Sequence, residues 1–247
     1  MFLIKENGEK STPYFQTIIN NSTDDGLMMF FPELSVAKWF ARDGMAERNV
    51  IYWCADTFIK SDKVFIDIGA HIGTYTMVCA SKAKHTYAFE CSPKTFCYLA
   101  ANIALHKLEE RVSLFNNALG ETYGQIDYII RSEDGGGNGI KVLNNKDASL
   151  RKLYIIVKPL DDFNIENIGF IKIDVEGAEL EVLKGSIQTL VKSNYPPILF
   201  ESWGEWKTDV PLNLRADLFA YFNSLGYSIK EIKGAKDTFL ATHPLFV

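Results

Sequence analysis

Cysteine, histidine and positive charge are all in short supply in this chain. Four cysteines occur in 247 residues, Cys54, Cys79, Cys91 and Cys97, alongside four histidines. No C-x-x-C pair exists, and no paired His/Cys spacing builds a zinc site. Cysteine in apolar surroundings behaves as a small core residue, so reduced structural thiols are expected. Acidic residues outnumber basic ones by 31 to 26, a net charge of −5. A nucleic-acid partner usually needs a basic face, and the cluster Arg151, Lys152 and Lys158 is too thin to supply one. Long apolar runs are missing too. None approaches the roughly 18 residues of a membrane span, and the apolar stretch in Met1–Glu6 is too short for a signal peptide. Asn20 and Asn21 each start an N-x-S/T sequon, but without a secretion signal they are read as ordinary surface residues. No nucleic acid, no membrane span and a cytoplasmic location are the expectations.

A content of 47% hydrophobic and 23% charged residues is that of a globular chain with a substantial core. The length suits one α/β domain with an extension. The expected division is 1–60 as an N-terminal extension and helical cap, and 61–247 as the main domain. Residues 1 to about 34 are poorly patterned. Two helices follow, one from Ser35 to about Arg42 and one over about 47–58. From Lys63 the chain alternates. Strands are predicted near 63–67, 86–90, 112–116, 170–174, 197–202, 227–232 and 237–242, with helices near 73–82, 93–106, 178–191 and 212–225. Such alternation implies a parallel sheet with right-handed crossovers and helices on both faces. Lys233-Gly234-Ala235-Lys236 is a turn signal, so the last two strands form an antiparallel hairpin. Between 117 and 169 the alternation breaks into two extra strands, 125–130 and 154–157, around a glycine loop at 135–139.

Two segments stand out. Val64–Thr74 and Phe170–Glu179 each read as a buried strand that ends in an acidic residue and turns through glycine into a helix. In open α/β sheets ligands bind at the carboxyl ends of the strands. Gly69 and Gly73 permit a tight turn and close approach to a ligand. Glu90 follows at the next strand end, about 20 residues on, where an acidic side chain holds ribose hydroxyls in nucleotide-binding folds. The order Gly69-Ala70-His71-Ile72-Gly73 lacks the middle glycine of a dinucleotide fingerprint, and no G-x-x-x-x-G-K-[ST] exists. Asp67 places negative charge where a pyrophosphate would sit. A cofactor with an ammonium group and no phosphate fits better, and S-adenosylmethionine has that character.

In Asp67–Thr76, Tyr87-Ala88-Phe89-Glu90, Asn117-Ala118-Leu119-Gly120, Ile171–Glu179, Leu183-Lys184-Gly185 and Leu199-Phe200-Glu201, the chain resembles the FkbM-type methyltransferases. The resemblance covers about 47 to 242. It implies a class I methyltransferase sandwich, Rossmann-like, with a seven-stranded, mostly parallel sheet and an antiparallel terminal strand. It also implies S-adenosylmethionine-dependent O-methylation. Two positions depart from the family pattern: His71 stands where Asn is more usual, and Cys91 where Pro is. Carried over by resemblance, Asp67, Gly69 and Gly73 line the methionine end of the cofactor, with Ala70 and His71 of the same turn as further cofactor-binding candidates. Glu90 holds the ribose, with Cys91 beside it, while Asn117 and Ala118 border the adenine. Asp174 faces the cofactor from the next strand, and Glu47 reaches its amino group.

The second turn is where chemistry is expected. Methyl transfer to an alcohol requires that the hydroxyl lose its proton, which a positioned carboxylate or imidazole accepts. Asp174 is the first candidate base, then Glu176, then His71, whose imidazole titrates near neutral pH. Glu176 and Glu179 also suit simple capping of a helix N-terminus. Asp174, Glu176 and Glu201 offer the hard oxygen ligands that suit Mg2+ or Mn2+. After Glu201, the residues Trp203, Glu205 and Trp206 suit carbohydrate binding, where rings stack and carboxylates bind hydroxyls. The expected acceptor is therefore a small molecule or carbohydrate, foremost a sugar in a glycan or glycolipid. The rivals are a polyketide-like metabolite and a non-catalytic binding domain of the same fold. Oligomeric state is not legible, and a homodimer is compatible with the chain.

Overall fold

The computed structural model describes residues 15–19, 27–31, 37, 40, 42, 44–130, 151–204 and 213–246. Its centre is a seven-stranded sheet built from β3 (Val64–Ile68), β4 (His85–Phe89), β5 (Val112–Phe115), β9 (Ile168–Ile173), β10 (Ile198–Glu201), β11 (Ser228–Glu231) and β12 (Thr238–Thr242). Their order across the sheet is β11-β12-β10-β9-β3-β4-β5. All neighbours are parallel except β12, which is antiparallel to both β10 and β11. The seven strands and the final hairpin are those predicted, and the hairpin folds back so that β12 fills the place between β10 and β11.

Central parallel strands are covered on both faces and read as continuous apolar runs. Every residue of β3 and β9 is buried. Alternate residues feed two cores: Phe65, Phe170 and Leu199 serve one face, Ile66, Ile171 and Phe200 the other. The first face is covered by α1 (Arg48–Thr57), α2 (Thr74–Ala80) and α3 (Pro93–Leu105). Helix α3 starts cleanly because the Ser92 hydroxyl accepts from Thr95 N and Pro93 occupies the first helical position. The second face is covered by α4 (Glu179–Lys184), α5 (Ile187–Lys192) and α6 (Leu214–Ser224). A single helix was expected over 178–191. It divides at Gly185, where a Cβ would stand 2.0 Å from the Gly120 carbonyl oxygen.

Three smaller strands, β6 (Ala118–Leu119), β7 (Gly124–Ile130) and β8 (Arg151–Lys158), form a separate sheet in the order β6-β8-β7. These include the two extra strands expected there, while the 135–139 glycine loop lies outside the described residues. The N-terminal part holds more order than its pattern suggested. Strands β1 (Phe15–Ile19) and β2 (Leu27–Phe31) pair as an antiparallel hairpin, and Met29 and Phe31 are fully buried in the first core. The buried Asn102 amide on α3 joins this hairpin to the main domain, donating to Phe30 O at 3.1 Å and to Ile72 O at 2.9 Å. Of the helix expected from Ser35, residues 37, 40 and 42 are helical and the rest lie outside the described residues. Among the described residues no helix is long and apolar enough to cross a membrane.

The crossovers from β3 run to β4 on one side, and β9 lies on the other. The carboxyl ends of β3 and β9 therefore flank the point where strand order reverses, the usual ligand crevice of such sheets.

Candidate active site

The first turn begins at Gly69, whose N–H, like that of Ala70, donates to Phe89 O at 2.9 Å. Gly69, His71 and Gly73 all adopt positive φ, so the chain coils tightly before α2 starts. Beneath the turn lies Asp67, fully buried, accepting from Thr76 Oγ1. Burial pushes its carboxyl pKa up, against the opposing pull of Lys172. Asp67 thus supports the turn from below.

Glu90 lies at the end of β4. One carboxylate oxygen accepts from His71 N at 2.9 Å and the other from Ser92 N at 2.8 Å. It is 7% exposed, and burial raises its pKa while the two N–H donors and the neighbouring His71 pull it down. The Asn116 amide donates to the carbonyls of Glu90 and Cys91 at 2.8 and 3.1 Å and fixes the loop that carries them. Cys91 and Asn117 are half-buried and Ala118 is buried. The residues expected at the ribose and adenine therefore gather on the β4–β5 side. Asn116 was not anticipated, because two adjacent asparagines give no sign of which one reaches back to the loop carbonyls.

At the end of β9, Asp174 N donates to Ile68 O at 3.0 Å, tying the second turn to the first. Glu176 and Gly177 follow at positive φ. Glu179 is buried and accepts from Val175 N at 3.2 Å and Gly177 N at 3.1 Å. It holds the turn that precedes α4 rather than capping the helix with its side chain, and burial pushes its pKa up to about 7. Oxygens of Asp174, Glu176 and Glu201 converge within 4.8 Å of one another. Burial and then the charges of Asp174 and Glu176 push Glu201 up to about 9. This arrangement can take a proton, a hydroxyl or a cation. Trp203 lies over the same turn, with its ring 3.5 Å from where a Gly177 Cβ would be. Glu205 and Trp206 lie outside the described residues. His71 stands on the other side of the turn, against Glu90.

A cleft of ≈ 160 Å³ opens beside the carboxylates, lined by Glu47, Tyr75, Lys172, Asp174, Glu201 and Thr238 among others. Glu47 precedes α1 in a left-handed conformation. Its carboxylate accepts from Tyr75 Oη at 3.2 Å and from Thr238 Oγ1 at 3.3 Å. Tyr75 and Thr238 were not anticipated, since nothing local in the sequence marks them. Lys172 was not singled out either, although a lysine inside an apolar strand is a visible signal. It is 6% exposed. Its ammonium donates to Gly69 O at 2.7 Å and stands 3.4 Å from Asp174 Oδ2 and 3.7 Å from Asp67 Oδ1. Burial alone would lower its pKa, but Asp174, Asp67 and Glu47 hold it above the ordinary lysine value.

Residues 67–229 match the Methyltransferase FkbM domain. The chain is 29% identical over 157 residues to the hexuronic acid methyltransferase AglP of Haloferax volcanii, covering 64% of this chain and 63% of that protein. It is 23% identical over 197 residues to the 2-O-methyltransferase NoeI of Sinorhizobium fredii, covering 71% and 78%. The chain thus spans somewhat less than two thirds of the first of these relatives. Among solved structures, the methyltransferase FkbM of Methylobacillus flagellatus superposes with a TM-score of 0.53 at 19% identity, covering 74% of this chain and 44% of that one. That likeness is one of fold: the parallel sheet with helices on both faces.

Proposed function

The chain belongs to the FkbM methyltransferase family, and from that premise we propose that it transfers a methyl group from S-adenosylmethionine to a hydroxyl of a sugar in a glycan or glycolipid. The observation that carries this reading is the meeting of Asp174, Glu176 and Glu201 beside a small cleft, one hydrogen bond away from the Gly69 turn.

The residues of the first turn suit the cofactor. The Glu90 carboxylate has lone pairs left for a diol after accepting two backbone N–H groups. The acidic surroundings favour an ammonium or sulfonium over a pyrophosphate. Bound there, S-adenosylmethionine supplies a methyl group already activated by its positive sulfur. Glu90 holds the ribose, and Glu47 and Asp174 face the amino end. The acceptor hydroxyl sits in the cleft. Asp174, whose side chain is 35% exposed and lines the cleft, would take the proton that the acceptor hydroxyl gives up on methylation. Correct placement supplies much of the remaining rate. Trp203, packed over the Gly177 turn, is the ring this reading assigns to stacking on a sugar. The hexuronic acid methyltransferase and the 2-O-methyltransferase among the relatives support a sugar and an oxygen as acceptor. A polyketide-like acceptor would call for greasy walls throughout, whereas Ala46, Ile173, Leu199 and Phe200 here share the lining with Glu47, Tyr75, Lys172, Asp174, Glu201 and Thr238.

A second reading keeps the reaction and changes how the hydroxyl is held. Asp174, Glu176 and Glu201 would bind Mg2+ or Mn2+, which would orient two sugar hydroxyls and lower the pKa of one. Their convergence within 4.8 Å favours it.

The test combines calorimetry with S-adenosylhomocysteine or NAD and a methyl-transfer assay on neutral methyl glycosides and hexuronic acids, each with Mn2+, Mg2+ or EDTA. Binding of S-adenosylhomocysteine and transfer to a hydroxyl are expected, with Asp174→Asn binding the cofactor product but turning over poorly. Binding of NAD in its place would sink the reading. Full activity in EDTA would remove the cation.

A further inference from the structure

Lys172 is placed where neither fold nor general acidity requires a lysine. It sits on a fully buried strand, directly opposite Asp67 in the β3–β9 register. Its ammonium meets three oxygens from three parts of the site: the carbonyl of the cofactor turn at Gly69, the Asp174 carboxylate at the second turn, and the Asp67 carboxylate beneath. The Tyr75 ring lies 5.5 Å away, and that tyrosine in turn donates to Glu47. Among the described residues, Asp67 Oδ1 makes no hydrogen bond and faces this ammonium alone at ion-pair distance.

Two roles are separable. A buried charge is costly unless matched by an opposite one, so Lys172 could serve only to neutralise Asp67. That role is indifferent to Gly69 and Asp174. The shortest contact, however, is the one to the Gly69 carbonyl, at 2.7 Å. A backbone carbonyl needs no neutralising. What the contact does is fix the direction of the peptide on which the cofactor turn begins, while the same ammonium holds Asp174.

We propose that Lys172 is the positioning residue of this site: its ammonium locks the Gly69 turn and the Asp174 carboxylate into a single geometry, so that cofactor and proton acceptor are set relative to each other. This rests on the reading of the first turn as the S-adenosylmethionine site. Lys172 touches the residues that do the work and need not touch either ligand.

The experiment compares the full-length wild type with Lys172→Met, Asp67→Asn and the double variant, by thermal melts and by calorimetry with S-adenosylhomocysteine. Removing one partner of a buried pair is strongly destabilising, whereas neutralising both is often tolerated. Lys172→Met should therefore lose both stability and affinity. The double variant should regain the melting temperature, because the amide oxygen introduced at position 67 could still accept from Thr76, yet bind S-adenosylhomocysteine about tenfold or more weaker than Asp67→Asn alone. If the double variant matches Asp67→Asn in affinity, Lys172 is a counter-charge only and the proposal is overturned. That comparison stands even where Lys172→Met alone does not fold. A wild type that binds no S-adenosylhomocysteine overturns the cofactor reading, and this proposal with it.

Discussion

The carbonyl oxygen of Asp174 occupies the space that a side chain on Gly69 would need: a Cβ there would stand 1.7 Å from it. The contact joins the two strand ends through backbone alone, at a residue whose φ of +75° also disfavours any side chain.

Gly69→Ala is therefore expected to be among the most damaging single changes in the chain, costing roughly 4 kcal/mol or more and abolishing cofactor binding. Gly73→Ala, whose Cβ would meet the Leu99 Cδ1 methyl at 2.7 Å, should cost clearly less, because the end of a side chain can shift and a sheet-anchored carbonyl cannot. Melting temperatures of the two variants check the ranking. Equal losses would show that the Asp174 contact is not what limits position 69.

Glu90→Gln should weaken S-adenosylhomocysteine binding by about tenfold or more, near 1.4 kcal/mol. Both carboxylate oxygens accept from backbone N–H groups. In glutamine one of them becomes an NH2 that faces a donor. Calorimetry reads the change, and unaltered affinity would remove Glu90 from the ribose.

Stability should decline as pH rises from about 5 to about 9. Glu179 and Glu201 start from an ordinary glutamate value of 4.5 and are raised in the folded chain to about 7 and about 9. Between the unfolded and folded values the unfolded chain gives up a proton that the folded chain keeps, so the folded state loses ground as pH rises. For Glu179 the loss is about 3 kcal/mol at most, at 1.36 kcal/mol per unit. Thermal melts across that range should show Glu179→Gln flattening the slope below pH 7. Glu201→Gln should flatten it up to pH 9 and melt higher than the wild type at pH 8, with lower turnover. A wild-type profile that rises with pH would contradict the burial assigned to these groups.

Asn102→Ala should lower the melting temperature by about 5–10 °C, from some 2–3 kcal/mol of stranded polar groups. It should also weaken S-adenosylhomocysteine binding, since Ile72, one of the partners of Asn102, belongs to the Gly69–Gly73 turn proposed to hold the cofactor. A stability loss without a change in affinity would mean that the N-terminal hairpin and the turn are independent.

Reading the sequence located the sheet well because its strands are short, mainly apolar runs such as Val64–Ile68 and Ile168–Ile173, each broken by a single charge, punctuated by glycine and alternating with helices. It located the acidic strand ends for the same reason. Other features depend on contacts between distant residues. The break at Gly185 answers to Gly120, about 65 residues earlier. The apolar strand Leu27–Phe31 pairs with Phe15–Ile19 across a polar stretch, so neither half is amphipathic enough to declare itself. Lys172 was visible as a charge in an apolar run, but its partners Asp67 and Gly69 lie just over 100 residues away. The convergence of Asp174, Glu176 and Glu201 follows from β10 lying beside β9, a matter of topology that spacing does not encode.

Glu47 is clamped by Tyr75 and by Thr238, 191 residues further along. Glu47 and Thr238 both fall outside the stretch 67–229 that matches the family domain. A chimera carrying only that stretch would transplant Gly69, Glu90, Asp174 and Glu201 together and leave two walls of the cleft behind. The cleft is thus completed from both flanks of the family domain, and a change at either flank can reshape it without touching the strand ends at Asp174 and Glu201.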